Sequence, residues 1–365
     1  MKKIFFVLIS LFFVNCESSS LSSNYMAFDN VEYVDKFPVT YTLRTATRLD
    51  LDVIGVRDFA IYDSLMIIAT TNKDGFWSFW SLPNYKSLGC FLLEGNGPDE
   101  FLMSPWVNRA SLYEEAGSLY AVVYNDTRRC LQRINISETL KNNKLDIETV
   151  RDSLSGALFS CVYIDDETCL CREITNDQTQ QIRYFFKSNK KEIPTHFEKL
   201  NHARVRRGSG DYNLLSSITK CNVKKKMIVE MPIGLNHINL YSFDGTLACT
   251  ICVGKKVDNL DNLQSIDRWK RLYTYANLRI YPDFFGVLYL GETEKSFQVE
   301  REKLPRIQLF DWTGVPLAEL QLTHQATSFD FDFNNGCLYT VDYITEEIYK
   351  YEIKDILSQI LFVSQ

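Results

Sequence analysis

Few side chains in this 365-residue chain could do chemistry, and they are scattered. Asp126, Glu173 and Glu100 stand in or beside turn-rich stretches, and carboxylates drawn together from several parts of a ring-shaped fold could hold a divalent ion such as Ca2+. Turn solvation accounts for Asn125-Asp126 and Asp165-Asp166-Glu167 as directly, because short acidic side chains bond nearby backbone amides. Cys249-Thr-Ile-Cys252 has metal-site spacing, but on a strand its two side chains fall on opposite faces. The histidines His196, His202, His237 and His324 share no ligand spacing, so each reads as a loop or surface residue. No cofactor and no metal site are expected, with calcium at the loop carboxylates as the alternative. There is no Gly-x-Ser-x-Gly, His-Glu-x-x-His, EF-hand or Walker string, so no catalytic residue is assigned.

One cysteine carries a chemistry of its own. Lys2 and Lys3, the apolar run Ile4 to Phe13, and Phe13-Val14-Asn15-Cys16 have the layout of a secretory signal, read as residues 1–15. A cysteine at its end makes Cys16 the candidate lipidation site. Acyl chains there would anchor the protein to a membrane, with the polar stretch from Glu17 onward as tether. The apolar run is too short to cross a bilayer. The nine later cysteines cannot all pair within the chain, and most lie in apolar runs, so buried free thiols are expected.

Composition narrows the partners. Formal charge is −6, which disfavours nucleic acid, since phosphate binding needs concentrated Lys and Arg. The basic cluster His202, Arg204, Arg206 and Arg207, followed by Gly208-Ser-Gly210, reads as a solvated insertion, with an anion-binding loop as the sharper alternative. Phe76, Trp77, Phe79 and Trp80 could stack on a sugar or peptide, but alternation along a strand favours core packing.

These residues need elements to position them, and the spacing supplies those elements. Gly117-Ser-Leu-Tyr120, Gly286-Val-Leu-Tyr289 and Gly336-Cys-Leu-Tyr339 each open a strand after a polar turn. Ser64-Leu-Met-Ile67, Thr168-Cys-Leu-Cys171 and Lys226-Met-Ile-Val229 fill the gaps, giving six marks at intervals of 50 to 60 residues. Hairpins follow, as in His237 to Val253 around Asp244-Gly245 and in Arg306 to Leu322 around Asp311-Trp-Thr-Gly314. Six repeats of about four strands predict an all-β fold, a six-bladed β-propeller over residues 41–365, with 16–40 as lipidated cysteine and tether. The alternating stretch Tyr41 to Leu51 is expected to add an outer strand to the last blade, closing the ring with an N-terminal strand. The tail Ile353 to Val363 fits either a short helix or a last strand.

After the first repeat comes Leu93-Glu-Gly-Asn-Gly-Pro-Asp-Glu-Phe101. Its Gly95, Gly97, Pro98, Glu100 and Phe101, behind a lipoprotein-type signal and with six-fold spacing, resemble the TolB-like six-bladed propeller lipoproteins of Bacteroidota. Asp99 stands where those relatives often have Gly. The resemblance implies the fold and a cell-envelope location, and it carries over no catalytic residue. Gly95 and Gly97 would permit backbone angles closed to other residues and Pro98 would fix the next turn, so a rigid link between blades is expected. Glu100 would cap its free amides, or else face the central channel. The function expected is a non-enzymatic binding or assembly module for a protein, peptide or glycan. The alternative is a propeller enzyme of the metal-dependent lactonase or glycan lyase type, with its site at the channel.

Overall fold

The computed structural model describes residues 22–208 and 211–363, so Cys16 and the expected signal lie outside the described residues. Six antiparallel sheets follow one another along the chain as blades one to six, at 56–91, 111–151, 158–192, 217–253, 272–321 and 328–352. Each of the six sequence marks sits at or within two residues of the start of its blade's second strand, just after the turn from the inner strand. That strand is sandwiched between neighbouring blades, so both its faces need apolar residues. Met227–Pro232 and Cys337–Asp342 are buried at every position.

One apolar cluster fills each seam. Trp77 and Phe79 of blade one meet Val123 and Ile134 of blade two, Val122 and Leu131 meet Cys161 and Cys171 of blade three, and Leu170 meets Ile228 and Tyr241 of blade four. Val229 and Met231 then pack on Tyr275 and Phe310, Leu288 and Leu309 on Phe329 and Leu338, and Val341 and Ile348 return to Phe59 and Ile68. The last seam joins blade six to blade one, so the core forms a ring.

The N-terminal segment corrects one expected boundary. Residues 26–34, placed in the tether by the sequence, are docked: Met26, Ala27 and Phe28 are buried, and the Phe28 amide donates to Thr250 Oγ1 at 2.8 Å. Val31–Val34 adds a parallel strand to the outer edge of blade four, and Thr40–Thr42 does the same for blade five. Ala46–Leu49 then pairs antiparallel with Glu347–Glu352 as the fourth strand of blade six. A belt thus crosses three blades before the chain enters blade one, covering edges whose unpaired backbone groups would otherwise invite association. The tail is a helix, Lys354–Val363.

Candidate functional site

Strands alternate in direction within a blade. The loops joining blade to blade and those joining second to third strands therefore emerge at one end of the ring, and every candidate site is judged by its relation to that end.

The glycine-proline segment lies there, between blades one and two. Gly97 N donates to Glu100 Oε2 at 2.7 Å, while Gly95 N bonds Phe101 O and Phe101 N bonds Leu93 O at 3.2 and 3.0 Å. Neither glycine has a positive φ, which corrects the expectation of special backbone angles. What they supply is space, because a Cβ at Gly95 would collide with the Glu100 carboxylate. Blade two braces the turn: Gln132 Nε2 donates to Pro98 O at 2.9 Å and Arg128 Nη1 to Gly97 O at 3.2 Å. Phe101 is buried in the seam below.

The three carboxylates are not brought together as a metal site. Glu173 pairs with Lys191 and accepts from Ser155 Oγ, Glu100 caps its own turn, and Asp126 accepts from Thr127 Oγ1. The aromatic run is wholly interior, with Phe76, Trp77 and Phe79 in the seam to blade two and Trp80 in the seam to blade six. Cys249 and Cys252 face different clusters, as strand alternation requires. The histidines are dispersed: His237 Nε2 meets Met26 O at 3.1 Å, His324 stacks on Tyr349, His196 packs on Phe197, and His202 is exposed. In the basic cluster Ala203 and Val205 are buried, Arg204 and Arg207 are exposed, and exposed Arg206 pairs with Asp261.

Sequence reasoning missed the charged groups that crosslink the interior. Along the axis, Arg279 of blade five meets Asp58 of blade one at 3.4 Å and Asp330 of blade six at 3.9 Å, and its Nε donates to Phe329 O at 2.8 Å. Asp58 also accepts from the Asn108 amide at 2.6 Å, and Asp330 accepts from the Ile61 amide and Tyr281 hydroxyl, both at 2.9 Å. Lys220 of blade four, partly accessible yet crowded by protein, is pushed down to about 7 by desolvation and then by the Arg279 charge. The ion pairs of Arg279 tie the inner strands of blades one, five and six together around the axis.

A second network lies between blades three and four. Glu230 accepts from Arg183 Nε at 2.7 Å, Arg172 Nη1 at 3.1 Å, Ser217 Oγ at 2.6 Å and Tyr241 hydroxyl at 3.2 Å. Burial alone would raise its carboxyl, but the Arg183 charge and hydrogen bonds, with Arg172 behind them, hold it at about 2. Charged residues inside apolar strands, as in Met-Ile-Val-Glu230-Met and Phe-Asp330-Phe, were the signal available for both networks.

From that interior an alternation of arginine and aromatic rings climbs to the loop end. Arg172 lies over Phe159 at 4.7 Å, Arg109 over Phe159 and over Trp106 at 5.9 Å each, and Arg57 over Trp106 at 5.5 Å. Of the eighteen large apolar side chains exposed among the described residues, twelve occupy loops of this end. They are Ile54, Leu93, Leu102, Met103, Trp106, Ile193, Ile266, Trp269, Val299, Leu304, Tyr343 and Ile344, and exposed Leu272 opens the inner strand of blade five. Met103 is 65% exposed. The opposite end shows only Val223, Val315 and Phe333 from the same group, so the apolar exposure is one-sided.

Comparison with known proteins agrees with this architecture. The sequence model of a family described as TolB-like 6-blade propeller-like matches residues 57–334. No curated protein matches the chain. Among solved structures, a member of the duf4221 family from Bacteroides vulgatus aligns with a TM-score of 0.53 at 8% identity, covering 85% of this chain and 96% of that one. Raptor from Chaetomium thermophilum aligns at 0.44 with 10% identity, over 83% of this chain and 28% of that one. At 8% identity the likeness to the duf4221 protein concerns the fold alone.

Proposed function

This chain belongs to the TolB-like six-bladed propeller family, and on that footing we propose that it is a non-enzymatic binding or assembly module, tethered to the cell envelope through lipidated Cys16 and docking a protein partner on its loop end. The observation that carries the reading is the one-sided exposure of large apolar side chains at the loop end, where Arg57 and Arg109 both lie over the Trp106 ring. Contiguous apolar exposure on a folded body marks interaction surfaces, and Trp, Tyr and Arg dominate binding hot spots. The partner that fits presents apolar side chains ringed by carboxylates, which Arg57 and Arg109 would pair.

Two experiments test this. A photo-crosslinking residue at Met103 or Trp269 should yield an adduct of one defined mass in cells, and the same residue at Val315 on the opposite end should not. The R57E/R109E pair should abolish the adduct. Equal labelling from both ends would sink the docking reading. For the anchor, an alkyne-tagged fatty acid should label the wild type and leave Cys16→Ala unlabelled; labelling of both, or of neither, overturns lipidation at Cys16.

A further inference from the structure

Three cysteines that no motif joins in the sequence converge between blades two and three. Cys161 lies directly opposite Cys171 in the antiparallel pair Leu158–Asp165 and Thr168–Ile174, and Cys169 lies two residues from Cys171, on the same face of the strand. Their sulfurs therefore share one side of the sheet. Cys161 Sγ and Cys169 Sγ each lie 3.6 Å from Cys171 Sγ, and all three sulfurs are mutually within 4.8 Å. All three residues are buried, against Val122, Leu131 and Leu154.

From these positions we infer that Cys161, Cys169 and Cys171 form a binding site for one thiophilic d10 cation, Zn2+ being the ion that fits best. Four sulfurs around an ion with bonds of about 2.3 Å stand roughly 3.8 Å apart, close to the two separations of 3.6 Å observed here. A disulfide would require one pair to close to about 2.05 Å and would strand the third thiol. Charge gives an independent argument. Three thiolates and Zn2+ sum to one negative charge, and a net charge in an apolar seam is costly unless paired. Arg151, on the outer strand of blade two, is placed to balance it. Its guanidinium lies over Phe186, which packs on the same cluster, its Nη2 donates to Asp166 O at 2.8 Å, and its Nη1 is buried without a hydrogen-bond partner. Tyr184 is buried in the same cluster. Loading moves no electrons: three S–H bonds break, three S–Zn bonds form, and the protons released pass to solvent.

The test uses the full chain, reduced and purified in detergent. Cd2+, as a spectroscopic stand-in, should bind with one equivalent giving a sulfur-to-cadmium charge-transfer band, and Zn2+ should displace it. C161S/C171S should lose that equivalent, whereas C249S/C252S should keep it. Arg151→Met should keep the ligands but weaken affinity about 10- to 100-fold, as expected for an outer-shell partner. Absence of the band in the reduced wild type, or its survival in C161S/C171S, would overturn the site. So would a Cys161–Cys171 disulfide found by mass spectrometry in protein isolated without reductant. Because the decisive titration is on the wild type, a variant that fails to fold does not blunt it.

Discussion

The second strand of blade four, Met227–Pro232, separates two seams built from opposite materials. Its Met227, Val229 and Met231 face blade five, where Tyr275, Phe285, Phe310 and Trp312 complete an apolar seam. Its Ile228 and Glu230 face blade three, where two arginines close on the carboxylate. Strand alternation delivers both from one run of six residues. In the first seam, many interchangeable dispersion contacts share the load, so a substitution that conserves volume is absorbed. In the second, a few groups depend on one another, and removing one leaves a buried charge unpaired.

That contrast sets the size of the expected effects. Glu230→Ala should cost about 3–5 kcal/mol in urea unfolding, because Arg172 and Arg183 are left without their counter-charge. A loss under 1 kcal/mol would break the comparison. Acid should find the same seam. Glu230 is held at about 2 in the folded chain against an ordinary value of 4.5, so its contribution is complete above about 4.5 and disappears as pH falls towards 2. The loss is about 3 kcal/mol, and Glu230→Gln should flatten that limb of the stability curve.

A second limb separates from it by pH. His237, on the adjacent strand, is pushed by burial down to about 4 from 6.5 and is therefore held neutral. A base whose folded value is depressed loses stability as pH falls from about 6.5 to 4, again by about 3 kcal/mol at most, and His237→Gln should remove this limb while leaving the Glu230 limb in place. The smallest effect belongs to the apolar seam: Met231→Leu should cost less than about 1.5 kcal/mol and should leave the shape of the pH curve unchanged. A pH-dependent penalty from Met231→Leu would show that the two seams are coupled through the strand.

The turn at Gly95 to Phe101 illustrates how far the residues could be read unaided. A link between blades was the expectation, since Gly and Pro at those spacings encode a turn. The reason for the glycines was not legible: they make room for the Glu100 carboxylate, and no local rule reports a side chain folding back over its own loop. The belt is a similar case. Val31–Val34 is too short and too exposed to announce itself as a strand, and it becomes one only because blade four offers an open edge. The aromatic run at Phe76 to Trp80 was legible as core, because alternation leaves each ring against one neighbouring blade or the other.

Period and pattern within the chain determined the blades. A turn followed by an apolar strand recurs six times, and a strand flanked by sheets on both faces must be apolar at nearly every position, so number and class of blades follow from local chemistry. Only the tertiary structure decided which distant residues meet. Glu230 finds arginines 58 and 47 positions away, and Arg279 finds Asp58 from 221 positions away. Cys161 finds Cys171 only once one antiparallel register is chosen over its neighbours. A one-residue slip of that register would turn each side chain to the other face, and register is set by the packing of whole blades, a property that no short stretch of sequence carries.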